Sequence, residues 1–209
     1  MELEQIKLEL LPQEIIDRIL IYTDNLYTVK LFRNNYVLGY LIKQKKLNLD
    51  KIIIKKYYSL IKDAYNLGFT EFSCFNIIQL LQESRLDIIK FLYNQNNEIF
   101  KLFNSDYTLH YACKLDLETV KFFYDIIPEK FCNECISIAV QSGKLDIVKF
   151  LIENSIKYHN TLMTWACIND RLDIVKYFQS LGFEIDDQSK KFALNNKNKS
   201  IIDFLHLQT

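Results

Sequence analysis

The sequence predicts an all-α fold, a solenoid of stacked helix pairs behind an amino-terminal helical cap. Three observations carry that prediction. One phrase recurs along the chain, its leading leucines about 27–31 residues apart, which is the mark of a repeat architecture. Within each copy the apolar residues fall on one stripe of a short helix. Glycine and proline number only 4 and 2 in 209 residues, against usual shares of about 7% and 5%. That leaves too few turn-formers for a strand-dense fold.

Taken in order, the chain begins with an apolar helix face. Pro12 suits a first helical turn, where its missing N–H costs nothing, and Ile15, Ile16, Ile19 and Leu20 line one side behind it. A solenoid needs such a helix to close its apolar end. Residues 1–46 are therefore expected to be a capping or otherwise specialised helical segment. Residues 47–74, with Ile52-Ile53-Ile54, Tyr57-Tyr58 and a stop at Asn66-Leu67-Gly68, are expected to be a degenerate helical repeat. Lys43, Lys45, Lys46, Lys51, Lys55 and Lys56 give this region a basic run, read as a solvated helix face.

Residues 75–209 hold the repeats. The phrase stands as Leu86-Asp87-Ile88-Ile89-Lys90-Phe91-Leu92, then at Leu117–Phe123, Leu145–Leu151 and Leu172–Phe178, with a weaker copy at Ser200–Leu205. The acid at its second position favours the positive end of the helix dipole. The Lys at its fifth can approach that acid within one turn. Upstream of each phrase lies a small pair, Ala112-Cys113, Ala139-Val140, Ala166-Cys167 and more loosely Ala193-Leu194, where two helices of one unit can approach closely. Core positions are expected at Ile88, Ile89, Leu92, Ala112, Val120, Ala139, Val148, Leu151, Ala166, Val175 and Phe178.

These residues resemble the ankyrin repeat. Leu109-His110-Tyr111-Ala112-Cys113 followed by Leu117-Glu118-Thr119-Val120-Lys121 is similar to that family's first and second helices, and Ser142-Gly143-Lys144-Leu145 to its turn. The repeat containing Ala112 and Leu117 is one residue short, and most turn glycines are replaced. The amino-terminal Leu11-Pro12-Gln13-Glu14-Ile15, continuing to Ile19-Leu20, resembles the opening of an F-box. That family would use Leu11, Pro12, Ile15, Ile19 and Leu20 to bind the adaptor of a cullin-type ubiquitin ligase. The combination is similar to proteins of giant DNA viruses of amoebae. It implies a non-enzymatic protein-binding module acting in the cytoplasm: a ligase substrate receptor, or a scaffold or decoy that occupies a partner.

Charge and motifs agree with a protein-binding role. The chain carries 26 basic and 26 acidic residues, so no net field draws it to nucleic acid or an anionic membrane. No glycine-rich phosphate loop, metalloprotease helix or nucleophile elbow is present, and no cofactor is expected. Five cysteines without framework spacing suit a reducing compartment. Cys132-Asn133-Glu134-Cys135 is read as packing at a repeat junction, because a metal would need further ligands and His110 and His159 offer no paired spacing. No catalytic or metal residues are assigned. By the ankyrin resemblance, partners would meet the hairpin tips, at Phe103, Asn104 and Asp106, at Lys130, Phe131 and Asn133, and at Lys157, Tyr158 and Asn160. They would also meet Trp165 on a first helix. Phe103 and Phe131 either anchor a partner or turn inward to fill gaps, and Trp165 either lines a groove or packs between repeats.

Overall fold

A computed structural model of the chain describes residues 38, 39, 42, 49–54, 56–69, 72–95 and 106–205. The expectations for Leu11, Pro12, Ile15, Ile19, Leu20, Phe103 and Asn104 fall outside these residues. The described residues form α-helices and one short 3-10 turn, with no strand among them. The chain divides into two compact units, residues 1–99 and 100–209.

In the first unit, α1 (Leu49–Ile54) pairs with α2 (Ser59–Asn66), and α3 (Cys74–Gln82) with α4 (Leu86–Gln95). First helices lie on first helices (α1 on α3) and second on second (α2 on α4). Ser73 caps α3 reciprocally: its hydroxyl accepts from the Asn76 N–H, and the Asn76 side chain accepts from the Ser73 N–H. Asn76 also donates to Asp50 at 2.7 Å, tying α3 to α1. Of the basic run, Lys56 forms an ion pair with Glu83 at 3.1 Å while staying exposed, as a solvated residue should.

Among its described residues the second unit holds four pairs. They are α5 (Asp106–Leu115) with α6 (Leu117–Ile126), α7 (Asn133–Ser142) with α8 (Leu145–Glu153), α9 (Thr161–Ile168) with α10 (Leu172–Ser180), and α11 (Asp187–Asn195) with α12 (Lys199–Leu205). The first helices α5, α7, α9 and α11 pack side by side in that order. All eleven expected core residues are buried, none more than 1% exposed. The alanines explain the close approach within and between pairs: Ala112, Ala139, Ala166 and Ala193 are all completely enclosed. No helix pair could bury its stripe alone, so within the second unit neighbouring pairs share one core.

The turn within each pair keeps its left-handed residue even where glycine has been lost. Ser84, Gly143, Asp170 and Lys197 all have positive φ, between 54° and 72°, two residues before the second helix. The short repeat is the exception. No residue from Cys113 to Asp116 has positive φ; Asp116 instead caps α6 directly, accepting from the Thr119 N–H at 2.8 Å. One fewer residue thus means a different turn with the same packing.

Three of the phrase's lysines reach beyond the acid on their own helix to a ring of the next pair. Lys121 lies over the Phe150 ring at 5.7 Å, Lys149 over Tyr177 at 5.3 Å, and Lys176 over Phe204 at 5.2 Å, each reaching the second helix of the next pair. Lys62 does the same to Phe91 in the first unit, at 5.2 Å. The acids turn to the backbone instead, Asp146 accepting from the Ile147 N–H and Asp173 from the Ile174 N–H, both at 2.9 Å. An exposed lysine gains about 0.5–1 kcal/mol over an aromatic face, while an exposed i,i+3 ion pair gains about 0.2–0.5 kcal/mol. The ladder is the better use of the charge.

Candidate functional site: the first-helix face and repeat tips

Stacking the first helices of the second unit brings equivalent positions into rows. The residue before each small alanine forms one: Tyr111 on α5, Ile138 on α7, Trp165 on α9 and Phe192 on α11. Tyr111, Ile138 and Phe192 are half-buried, and Trp165 is 39% exposed. One turn earlier, Tyr107 on α5 is 77% exposed, beside the exposed Glu134, Thr161 and Gln188 of the same register. An apolar strip with a polar margin therefore crosses four adjacent helices. Sequence reasoning found only Trp165 in this row. The signal for the others was the residue preceding each alanine, read down the repeats instead of along one helix.

The tip residues separate into two kinds. Asp106, Lys130, Lys157 and Asn160 are exposed, and Tyr158 is 40% exposed. Phe131 is not a tip anchor: it is only 6% exposed, its ring edge-on to Tyr124 at 5.4 Å. It follows the 3-10 turn Pro128–Lys130 and lies inside, which decides between its two readings in favour of the inward one and removes it from the contact residues. Asn133 is half-buried and structural, its side-chain oxygen accepting from the His159 N–H at 3.3 Å. Tyr158 stacks near Phe183, centroids 5.5 Å apart, and the two help line an open groove of about 550 Å³ with Asn160, Met163, Glu184 and Asp186. The tips before α9 and α11 thus enclose a cleft that joins aromatic walls to carboxylates.

A second constellation lies between α5 and α7. His110 projects from α5, Cys132 stands at the N-cap of α7 and Cys135 in its first turn. The imidazole and the two sulfurs offer ligand atoms within 4.8 Å of one another. Cys135 is buried, His110 half-buried and Cys132 exposed. Behind them the buried Cys113 is hydrogen-bonded to Cys135, which holds the Cys113 thiol well above its usual range and draws Cys135 below it. Partial desolvation of its sulfur and a hydrogen bond to Glu134 push the Cys132 thiol up to about 11. Sequence reasoning dismissed this group for want of paired spacing. The only sequence-local pair in it is Cys132 and Cys135, and His110 joins them from another helix. Cys167, equivalent to Cys113, has no such neighbours; burial pushes its thiol up to about 11.

Among the described residues no helix is long and apolar enough to cross a membrane. A family model described as ankyrin repeats (3 copies) matches residues 109–189. The chain is 31% identical over 94 residues to an ankyrin repeat protein of Acanthamoeba polyphaga mimivirus, covering 44% of this chain and 88% of that one. No solved structure matches.

Proposed function

The chain belongs to the ankyrin repeat family, and on that footing we propose that it works by binding a protein through the first-helix face and tips of residues 106–195. The observation that carries this reading is the row Tyr111, Ile138, Trp165 and Phe192. Apolar side chains left partly open in register on adjacent helices, beside polar neighbours, are what an interface anchor looks like before its partner arrives. The cleft behind Tyr158 supplies a second contact, suited to a side chain that presents both an apolar body and a donor to Glu184 and Asp186.

The test is co-purification of the tagged full chain, comparing wild type with Trp165→Ala. Removing a central aromatic anchor costs about 2 kcal/mol or more, roughly thirtyfold in affinity, so proteins retained by wild type are lost from the variant while its circular dichroism is unchanged. An identical set of retained proteins contradicts the assignment of the surface.

A finer reading makes the module the substrate receptor of a cullin-type ubiquitin ligase, acting in the cytoplasm of an infected cell. It is supported by the sequence Leu11-Pro12 with Ile15, Ile19 and Leu20. The alternative is a scaffold or decoy that occupies its partner and needs no adaptor. Pull-down with the ligase adaptor separates them. Binding that Leu11→Ala/Pro12→Ala abolishes supports the receptor, and absence of binding by wild type leaves the scaffold.

A further inference from the structure

We propose that His110, Cys132 and Cys135 form a binding site for a soft divalent metal of the zinc type, one that clamps α5 to α7. Two features of this chain place the ligands. Cys132 and Cys135 are three residues apart across the start of α7, so the exposed N-cap thiol and the first-turn thiol face the same way. His110 comes from α5, the helix packed against α7, and its ring meets the two sulfurs within 4.8 Å. Tetrahedral zinc, with bonds of about 2.3 Å to sulfur and 2.0–2.1 Å to nitrogen, wants ligand atoms roughly 3.5–3.8 Å apart. The cluster is within about an ångström of that spacing, and Cys132, exposed and without a capping hydrogen bond, has room to rotate.

The donor set decides the class of ion. Two thiolates and an imidazole suit zinc and disfavour magnesium or calcium, which want oxygen. On binding, both thiols release their protons, and the two thiolates neutralise the ion's charge. The surroundings supply the support such a site requires. The buried Cys113 thiol lies behind the cluster, hydrogen-bonded to Cys135, and can donate to the thiolate that binding creates there. Outer partners of this kind hold ligands in place. The exposed side at Cys132 leaves the fourth position to water. Simple packing explains the arrangement less well: the equivalent Cys167 packs with no thiol or imidazole gathered around it, and packing does not need an exposed cysteine held against a histidine.

The experiment uses the full chain, metal-stripped and kept reduced by a phosphine, titrated with Co2+ and then Zn2+. Tetrahedral cobalt gives visible ligand-field bands and near-ultraviolet sulfur-to-metal charge transfer, and about one equivalent of zinc abolishes both. Cys132→Ser keeps a good N-cap, so the fold should survive. This variant should lose the bands and weaken zinc binding by at least about 100-fold, more than is typical for a supporting residue. His110→Gln should lose the bands as well, whereas Cys74→Ser, an exposed cysteine on α3, should keep them. Zinc should also raise the melting temperature of wild type but not of Cys132→Ser. A reduced, helical wild-type chain that gives no cobalt bands overturns the site, as do bands of equal intensity in Cys132→Ser.

Discussion

Thr108 shows how much a single side chain can reveal. It is completely buried on α5, and its hydroxyl finds no hydrogen-bond partner among the described residues. A buried polar group left unpaired costs about 1–3 kcal/mol, while an apolar residue of the same shape removes that cost. Thr108→Val should therefore raise stability by about 1 kcal/mol, read as a higher urea midpoint at unchanged slope. An unchanged or lower midpoint would mean the hydroxyl is satisfied after all. Residue-level reasoning from sequence succeeded where one helix decides the outcome. The valines and isoleucines at the third and fourth positions of each phrase are buried because helical periodicity alone turns them inward. It failed where the deciding neighbour is on another helix. Lys149 had an acid within reach on α8 and took the Tyr177 ring of α10 instead. Position alone left Phe131 open to pointing out or in, and its contact with Tyr124 decides that it lies inside.

At the scale of the element, the turns carry the cost of lost glycines. Ser155, just past α8, has φ of 61°, and its counterpart after α10 is Gly182 at 87°. A side chain in this region is strained and glycine is not. Ser155→Gly should stabilise by about 0.5–1 kcal/mol. The reverse change, Gly143→Ala, should destabilise by about 1 kcal/mol or more, since a Cβ there also comes within 3.1 Å of the Arg171 side chain, which donates to the Gln141 carbonyl. Paired thermal melts of the two variants check both signs; a stabilised Gly143→Ala would refute the turn geometry. The existence and type of the helices from 75 onward were legible because the phrase repeats. That Asp170 and Lys197 keep the left-handed turn was not, because nothing in an aspartate or lysine announces a positive φ.

At the scale of the molecule, what the chain recognises is decided by rows that run across helices. Trp165 was visible in the sequence as an odd large residue before a small pair. Tyr111, Ile138 and Phe192 became its companions only once α5, α7, α9 and α11 were aligned. The same alignment joined His110 to Cys132 and Cys135, which lie more than twenty residues away in sequence. The opposite side of the second unit is committed to its own structure, its lysines engaged by rings of the next pair. The two faces therefore make opposite predictions about partner contact. Photo-crosslinking tests this directly, with a photoreactive phenylalanine analogue placed in the full chain at 138 or 165 on the first-helix face, or at 149 or 176 on the second-helix face. Covalent partner adducts from 138 and 165, and none from 149 and 176, are expected; adducts confined to 149 and 176 would contradict the assignment of the binding surface.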